Sequence, residues 1–388
     1  MPVPHEVRSE SIVVSGPTPQ MRGMARATQT AQRIRSAHRS YTHLFQTLGI
    51  EDSAVKAAAQ DSLAALRDWD PDQHQEVTGA AMGAGLTPAD LMVIIARTEI
   101  MTLADRSALP SQLDRPRKES STSAPSECST ITFAADRAAG AADPAAGAGA
   151  GAPCVGAQTW DWYPEFADLW HLHSVAALPG GYGYAGLAEY GMTGKIGVNS
   201  AGLGCFLNIL FSTDDAPGGV PVHSVLARIL GVAGSVDEAV RMIEDAPLSS
   251  SSVITLIDSE QSAMVEISAG RTRVLDQRGY AVHTNHFLDG EFAQTGLLSP
   301  PNANTFDRLE FLQDAVSCAG VPQCAEDLVP LLCSDLASGC VAKLPKPGGT
   351  LETATLASVR IDPAQRKIAV SPGVPQYVKM RTVVLQAP

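Results

Sequence analysis

The sequence has few of the patterns that mark disulfide-rich, zinc-binding or membrane-spanning proteins. Its seven cysteines, at positions 128, 154, 205, 318, 324, 333 and 340, are odd in number and scattered, and no CxxC pair occurs. They support neither a disulfide framework nor a zinc cluster, and we expect a reducing cytoplasm. No apolar run reaches the roughly 20 residues that span a bilayer. The first 17 residues lack a basic head followed by an apolar core, so no signal peptide is expected.

Basic charge is also scarce. Lys and Arg total 28 against 41 Asp and Glu residues, which gives a net charge of −13. An acidic excess without a basic patch repels phosphate backbones, so nucleic acid is not an expected partner. Apolar residues make up 45% of the 388 residues and charged residues 18%. This composition provides for a sizeable core in one large domain or two ordinary ones.

Residues 1–106 have the pattern of a helical N-terminal segment. Apolar side chains recur at three- and four-residue spacings over Pro19–Leu48. A second helix is predicted over Asp52–Trp69. A third begins with Thr87 as its cap and Pro88 at the first helical position, and it continues towards residue 103.

The composition then changes twice. Residues 107–127 are rich in Ser, Pro and charge, which indicates an exposed linker. Residues 134–153 are almost entirely Ala, Gly, Asp and Pro, which indicates a flexible loop without an assigned function. After residue 154, β-strand patterns predominate, with helices near 223–232, 236–246 and 304–315. Helices followed by antiparallel strands that enclose helices predict an α+β layered fold.

Polar residues are concentrated in three short segments with apolar surroundings, Glu127–Thr130, Gly156–Trp162 and His283–His286. Taken singly, each has an ordinary structural explanation. A cysteine at the start of a strand is commonly a small buried residue. Asp161 between two tryptophans can satisfy a turn.

The histidines do not indicate a metal site. His283 and His286 are three residues apart, so on a strand they point to opposite faces, and no third ligand is nearby. His171 and His173 do share a strand face. That spacing favours an edge or pocket feature over a metal site, so no metal is predicted.

Taken together and in order, the segments resemble the isopenicillin N acyltransferase (acyl-CoA:6-aminopenicillanic acid acyltransferase) family of Ntn hydrolases, over most of the chain. Cys128-Ser129-Thr130 resembles the family's Cys-Thr-Thr nucleophile, and Gln158–Trp162 is similar to its Gln-Asn-Trp-Asp-Phe. Further matching segments are Ala96–Glu99, Gly194–Gly202, Gly219–His223, His283–His286 and Arg308–Leu312.

The resemblance implies an Ntn-hydrolase αββα sandwich and a precursor that cleaves itself between Glu127 and Cys128. Residues 1–106 then form the first subunit. Residues 107–127 form a linker that ends at the cleavage site, and residues 128–388 form the catalytic domain.

The resemblance also implies catalytic roles for Cys128, Asp161 and Asn285. Once exposed by cleavage, the α-amino group of Cys128, with an ordinary pKa of about 7.7–8.0, accepts the thiol proton. Asp161 holds that amine and balances its charge. Asn285 donates its side-chain N–H to the oxyanion of the tetrahedral intermediate.

Four residues are candidates for substrate binding: Thr130, Trp160, Trp162 and Tyr182. Packing in the core is the alternative for each of them. Two positions depart from the family pattern. Glu127 stands where the family usually has Gly, and Gly339-Cys340-Val341 replaces its Ile-Cys-Arg. The second departure removes an arginine that would face the substrate, so the family's β-lactam and CoA substrates are not assumed.

The sequence therefore predicts a self-processing amidohydrolase or acyltransferase that acts on a small N-acyl or aminoacyl amide through an S-acyl-Cys128 intermediate. An acyl-CoA-dependent N-acyltransferase of secondary metabolism is one alternative. A catalytically inactive binding protein of the same fold is another. The expected partners are a small amide or thioester substrate and the cleaved N-terminal segment, with no cofactor, no nucleic acid and no membrane.

Overall fold

Two β-sheets organise the chain, and helices cover their outer faces. The computed structural model describes residues 10–107, 109–113, 128–135, 153–275, 279–298, 304–336, 340–345, 353–380 and 383–386. Glu127, most of the predicted linker 107–127 and most of the predicted loop 134–153 lie outside the described residues.

The N-terminal part contains one strand and five helices. They are β1 (Glu10–Val14), α1 (Pro19–Thr47), α2 (Asp52–Trp69), α3 (Pro71–Ala84), α4 (Pro88–Ile95) and α5 (Arg97–Met101). The predictions for α1 and α2 are confirmed, whereas β1 and α3 were not predicted. Asp70 caps α3 by accepting a hydrogen bond from the backbone N–H of Gln73 at 3.1 Å. With Pro71 at the first helical position, that cap is a start signal present in the sequence.

The helix predicted from Pro88 towards residue 103 is interrupted. Thr87 and Asp90 form the expected capping box, but α4 ends at Ile95, and Ala96 leaves the helical backbone before α5 begins. No Gly or Pro marks the break. Tertiary bonds accompany it instead, since the carbonyl of Ile95 bonds the His223 ring at 3.1 Å.

The larger sheet has eight described strands in the order β1-β4-β5-β6-β7-β8-β9-β10. β1 pairs with β4 in parallel, and the other neighbours are antiparallel. The strands after β1 are β4 (Trp170–Val175), β5 (Tyr184–Glu189), β6 (Ile196–Asn199), β7 (Gly204–Ile209), β8 (Ser252–Ile257), β9 (Ser262–Ser268) and β10 (Arg271–Leu275).

The smaller sheet has six described strands in the order β11-β2-β3-β12-β13-β14, all antiparallel. Its strands are β2 (Ser129–Ala134), β3 (Val155–Trp162), β11 (Gly279–His283), β12 (Ala354–Asp362), β13 (Lys367–Pro372) and β14 (Val383–Gln386).

Helices pack on the outer face of each sheet. α6 (Val222–Val232) and α7 (Val236–Asp245) share a buried apolar cluster with the larger sheet. α8 (Thr305–Ser317) and a 3₁₀ helix at Ala325–Leu332 share another with the smaller sheet. A third cluster holds side chains of both sheets, such as Phe206 and Val359, and continues into helices α1 to α5. The order helix, sheet, sheet, helix confirms the predicted α+β class and the αββα sandwich.

Among the described residues, no single helix is long and apolar enough to cross a membrane. The pair α3 and α4, bent by 109°, meets that criterion together by length and composition only.

Candidate active site

The three polar segments singled out in the sequence meet at one end of the smaller sheet. β2 lies between β11 and β3, with Ser129 opposite Thr159 and Thr130 opposite both Gln158 and His283. Cys128 immediately precedes Ser129, the first residue of β2, so it lies beside the end of β3 that carries Asp161. The segment His283–His286 lies on its other side.

Cys128 is buried, with 4% of its surface exposed. Burial raises the pKa of its thiol to about 11, and the nearby Asp161 carboxylate contributes to that rise. The backbone N–H of Asp161 and the cations Lys195 and Arg308 oppose it. In the continuous chain the thiol is therefore protonated at neutral pH, so it needs a base before it can attack a carbonyl.

Asp161 is fully buried, and no described residue forms a hydrogen bond of good geometry with its carboxylate oxygens, although the Thr355 hydroxyl lies close enough to act on it as a donor. Burial raises its pKa to about 7, while the neighbouring Thr355 hydroxyl and the Arg308 guanidinium act in the opposite direction. A buried carboxylate without a well-formed hydrogen bond is unfavourable.

The carbonyl of Cys128 is held by two donors that the sequence analysis did not assign to the site. Arg308 donates through Nη1 at 2.8 Å, and Asn208 donates through Nδ2 at 3.1 Å. Arg308 is fully buried on α8, and its other described partners, Ser129, Asn285 and Asn304, are neutral. Burial lowers the Arg308 pKa, which the charges of Asp161 and Cys128 partly offset. The only sequence signal for Arg308 was its place in the matching segment Arg308–Leu312, which assigned it no role.

Asn285 has a fixed side-chain orientation. Its Oδ1 accepts from Arg308 Nη2 at 3.1 Å, and its Nδ2 donates to the carbonyl of Ile209 at 2.8 Å. Its backbone N–H donates to the Thr305 hydroxyl at 2.8 Å. An amide NH₂ has two hydrogens, so this arrangement uses one and leaves the second for a substrate oxygen.

The four candidate substrate-binding residues are separated in the structure. The Thr130 hydroxyl is enclosed in the core, where it donates to Asn208 Oδ1 at 2.7 Å and accepts from Gln158 Nε2 at 2.6 Å. It therefore orients Asn208. The backbone N–H of Tyr182 donates to Gly231 at 2.7 Å, which places Tyr182 at the outer helical layer and not beside Cys128.

Trp160 and Trp162 lie at the site, and each is covered by a cation. Lys195 Nζ lies 3.8 Å from the ring centroid of Trp160, and the Arg97 guanidinium carbon lies 4.1 Å from that of Trp162. Both cations bond Glu189, Lys195 at 2.7 Å and Arg97 at 3.2 Å.

The pKa values of these buried charges are shifted by their mutual contacts. Burial disfavours the charged form of Glu189, but Arg97 and Lys195 outweigh it and hold the pKa of Glu189 far below its ordinary value. Burial lowers the pKa of Lys195 to about 8; Glu189 opposes this shift and Arg97 reinforces it.

A pocket opens beside Trp162, between α5 and the end of β7. Its empty space is about 260 Å³, including the part open to solvent. Residues before Cys128 and residues after it both contribute to its lining, which consists of Arg97, Thr98, Met101, Thr102, Arg106, Trp162, Ile209, Leu210, Phe211, Asp215 and Ser250. The Ile209 carbonyl that Asn285 bonds connects this pocket to the catalytic end of the sheet.

Three of the four histidines noted in the sequence, His173, His283 and His286, make hydrogen bonds that fix their rings. His283 Nε2 lies 2.7 Å from Glu266, and His286 Nδ1 lies 2.8 Å from the Thr305 hydroxyl. His171 and His173 share a face of β4 with ring centroids 5.4 Å apart, as their spacing predicted, and His173 contacts Arg26 at 2.8 Å. The described part of the chain contains no group of three or more His, Cys, Asp or Glu side chains that can hold a metal ion.

Comparison with known proteins gives the family. Residues 149–377 match the family described as acyl-coenzyme A:6-aminopenicillanic acid acyl-transferase. That span is more than half of the chain and includes Asp161, Asn285 and Arg308, although it begins after Cys128. The chain belongs to the acyl-coenzyme A:6-aminopenicillanic acid acyl-transferase family.

Individual relatives are distant. The acyl-coenzyme A:6-aminopenicillanic-acid-acyltransferase 40 kDa form of Emericella nidulans is 26% identical over 159 residues, which are 40% of this chain and 44% of that protein. The alignment thus spans less than half of this curated relative.

Two solved structures are similar at still lower identity. An N-acylethanolamine-hydrolyzing acid amidase ortholog from Caenorhabditis elegans is 15% identical, with a TM-score of 0.41, covering 66% of this chain and 100% of that one. A mutant of the conjugated bile acid hydrolase from Clostridium perfringens is 16% identical, with a TM-score of 0.42, covering 66% of this chain and 92% of that one.

Proposed function

We propose that this protein is a self-processing Ntn hydrolase that transfers the acyl group of a small amide to the Cys128 sulfur and then to water. The observation that carries this proposal is the fully buried Asp161 carboxylate beside Cys128, which has no well-formed hydrogen bond among the described residues and only the Thr355 hydroxyl as a close donor. A free α-amino group at Cys128 would supply both the donor and the countercharge. The continuous chain lacks that group, and cleavage creates it.

The first reaction is self-cleavage. The Cys128 thiol attacks the carbonyl carbon of Glu127, and the C–N bond breaks as the C–S bond forms. The acyl group thus moves from the Cys128 nitrogen to its sulfur, and the thiol proton ends on that nitrogen. Water then hydrolyses the thioester, leaving a carboxylate on Glu127 and a free amine on Cys128. The bonds from Arg308 and Asn208 to the Cys128 carbonyl support this step, because they hold the main chain of the attacking residue in place.

Turnover repeats the same chemistry on a substrate. The α-amine, with an ordinary pKa of about 7.7–8.0, takes the thiol proton. The sulfur attacks the substrate carbonyl, and the second N–H of Asn285 Nδ2 stabilises the oxyanion. The amine of the substrate leaves with the proton, and water attacks the acyl-Cys128 thioester to complete the cycle.

The pocket beside Trp162 supports a small substrate. Apolar side chains, among them Met101, Leu210 and Phe211, line part of this pocket, and its space is tight, which favours a short acyl group over a long chain. Because helix α5 contributes to it, the N-terminal segment is part of the proposed binding site. Buried ion pairs such as Arg97 with Glu189 support continued association of the two pieces after cleavage.

Transfer to an amine is the second candidate, and the Emericella nidulans relative, whose name states an acyltransferase, favours it. The two reactions share the acyl-enzyme and differ only in the final acceptor. The experiment is to incubate the cleaved protein with a panel of short amides and acyl thioesters, with and without an added amine, and to weigh the protein and products. A mass adduct on Cys128 that resolves to free acid supports hydrolysis, and one that resolves to a new amide supports transfer. The absence of any adduct across the panel, on a fully cleaved protein, would contradict the proposal.

A further inference from the structure

Three charged side chains meet between the N-terminal helices and the larger sheet. Glu189 accepts from Lys195 at 2.7 Å and from Arg97 at 3.2 Å, and each of these side chains is at most 2% exposed. The hydroxyl of Tyr41 on α1 also donates to Glu189. Two of these contacts, from Arg97 and Tyr41, come from the N-terminal segment and cross to the catalytic domain.

This cluster carries more positive than negative charge. Lys195 and Arg97 share the single carboxylate of Glu189, and Arg97 also acts electrostatically on Glu99. Glu99 already accepts bonds from the Val222 backbone N–H at 3.0 Å and the Ser250 hydroxyl at 2.8 Å, and burial raises its pKa to about 7. Excess charge in a buried site is unfavourable unless a nearby group compensates it.

The nearby group is Cys128. Ser129 pairs with Thr159, so the preceding Cys128 lies opposite Trp160, and opposite residues of an antiparallel pair share one face of the sheet. The ring of Trp160 is the surface on which the Lys195 ammonium sits, 3.8 Å from its centroid. Lys195 and Arg97 both interact electrostatically with the Cys128 sulfur.

We propose that Lys195 is a positioning residue that stabilises the thiolate of Cys128, with Glu189 holding its ammonium over Trp160 and Arg97 adding a second positive charge near the sulfur. The N-terminal segment thereby completes the electrostatics of the site. The inference rests on the proposed function in taking Cys128 as the nucleophile. The proton lost by the thiol goes to the α-amine; Lys195 stays protonated and transfers none. An ammonium beside the sulfur favours the anion because opposite charges within a few ångströms attract.

The test is the pH dependence of Cys128 alkylation by iodoacetamide, with the modified residue located by peptide mass spectrometry. This readout needs no substrate. For Lys195→Met the profile should shift to higher pH by about one unit, which slows alkylation about tenfold near neutral pH. Lys195→Arg should keep the wild-type profile because it keeps the charge. Lys56→Met, the same change at an exposed lysine, should also leave it unmoved.

Two results would overturn the inference: coincident profiles for Lys195→Met and the wild type, or a wild-type Cys128 that stays unmodified at every pH while the exposed Cys318 reacts. Lys195→Met leaves Glu189 paired with Arg97, so the variant is expected to fold, and circular dichroism checks this. If Lys195→Met does not fold, Lys195→Gln is the variant to measure. The two proposals can fail separately. If the protein turns over no amide but its Cys128 alkylation profile still shifts in Lys195→Met, the proposed function is contradicted and this inference stands.

Discussion

Arg308 Nη1 lies 2.8 Å from the carbonyl oxygen of Cys128, so a fully buried guanidinium on α8 fixes the main chain of the proposed nucleophile. The same guanidinium bonds Oδ1 of Asn285 at 3.1 Å. It therefore sets the distance between the attacking residue and the proposed oxyanion donor. Charged hydrogen bonds of this kind are stronger than neutral ones, which suits a group that must hold two catalytic residues in place.

Replacing Cys128 with alanine should leave the chain uncleaved, because the thiol that attacks Glu127 is lost. Intact mass spectrometry should show two fragments, 1–127 and 128–388, for the wild type and a single chain for the variant. Cys154→Ala is the matched control, since Cys154 is also 4% exposed, and it should cleave normally. Efficient cleavage of Cys128→Ala would rule out the intramolecular mechanism.

Asp161 should make the uncleaved protein less stable as the pH rises. Burial raises its folded pKa to about 7 from an ordinary 3.8, so the folded state binds a proton that the unfolded state has lost in that interval. Stability is then highest below about pH 4 for this group and falls as the pH rises through about 7. Thermal unfolding of Cys128→Ala at pH 5 and pH 8 should show this loss, and the double variant with Asp161→Asn should show less of it.

Part of the pH dependence of stability should remain in the double variant, because burial also raises the pKa of Glu99 to about 7. If stability falls with pH equally steeply in the double variant and in Cys128→Ala, then Asp161 is already charged in the uncleaved chain and its charge is balanced there. In the cleaved enzyme, Asp161→Asn should lower turnover while the fold is kept, since the ammonium loses its countercharge.

Asn285→Ala should lower kcat by about a hundredfold to a thousandfold if its amide stabilises the oxyanion. KM should change less, because that bond strengthens only in the transition state. Asn285→Asp should be at least as damaging, since a carboxylate repels an oxyanion. Steady-state kinetics on fully cleaved variants is the measurement. A large rise in KM with unchanged kcat would instead assign Asn285 to substrate binding, and restoration of activity by a divalent ion after chelation would indicate a metal.

Arg97→Met should weaken the association of the cleaved N-terminal segment with the rest of the chain. The change leaves Glu189 with Lys195 and removes a cation from Trp162, and breaking a buried pair commonly costs about 3–5 kcal/mol. Size-exclusion chromatography in increasing urea should separate the fragments of this variant at a lower urea concentration than those of the wild type. The control is Arg67→Met, an exposed arginine on α2, and equal midpoints for Arg97→Met and Arg67→Met would contradict the shared-core interpretation.

Met101→Ala should extend the pocket beside Trp162 and shift the substrate preference towards longer acyl groups. One methylene in an apolar pocket changes kcat/KM by about 10-fold or more. The sensitive readout is therefore the ratio of kcat/KM for two substrates whose acyl chains differ by one methylene. Met82→Ala changes the same residue type at an exposed position and should leave the ratio unchanged. An unaltered chain-length profile in Met101→Ala would place the acyl group outside this pocket.

Local patterns predicted much of the fold, because caps and apolar spacing act over a few residues. Thr87 and Pro88 mark the start of α4, and both features are visible in the sequence. The break at Ala96 was not visible, since no Gly or Pro stands there and bonds from distant residues accompany it. Tyr182 illustrates the same limit: its aromatic character suggested the site, but the chain path takes it to the outer helical layer.

By itself, the sequence determined the α+β class, which follows from residue types and short spacings. The resemblance of its segments to a known family implied the αββα sandwich and drew attention to Cys128, Asp161 and Asn285. The tertiary structure alone decided that Arg308 and Asn208 bond the Cys128 carbonyl, and that Lys195 and Arg97 meet on Glu189. The physical reason is distance along the chain: Arg97 and Glu189 are 92 residues apart, and Cys128 and Arg308 are 180 apart. Only packing of the two sheets and their helices brings such pairs within bonding range.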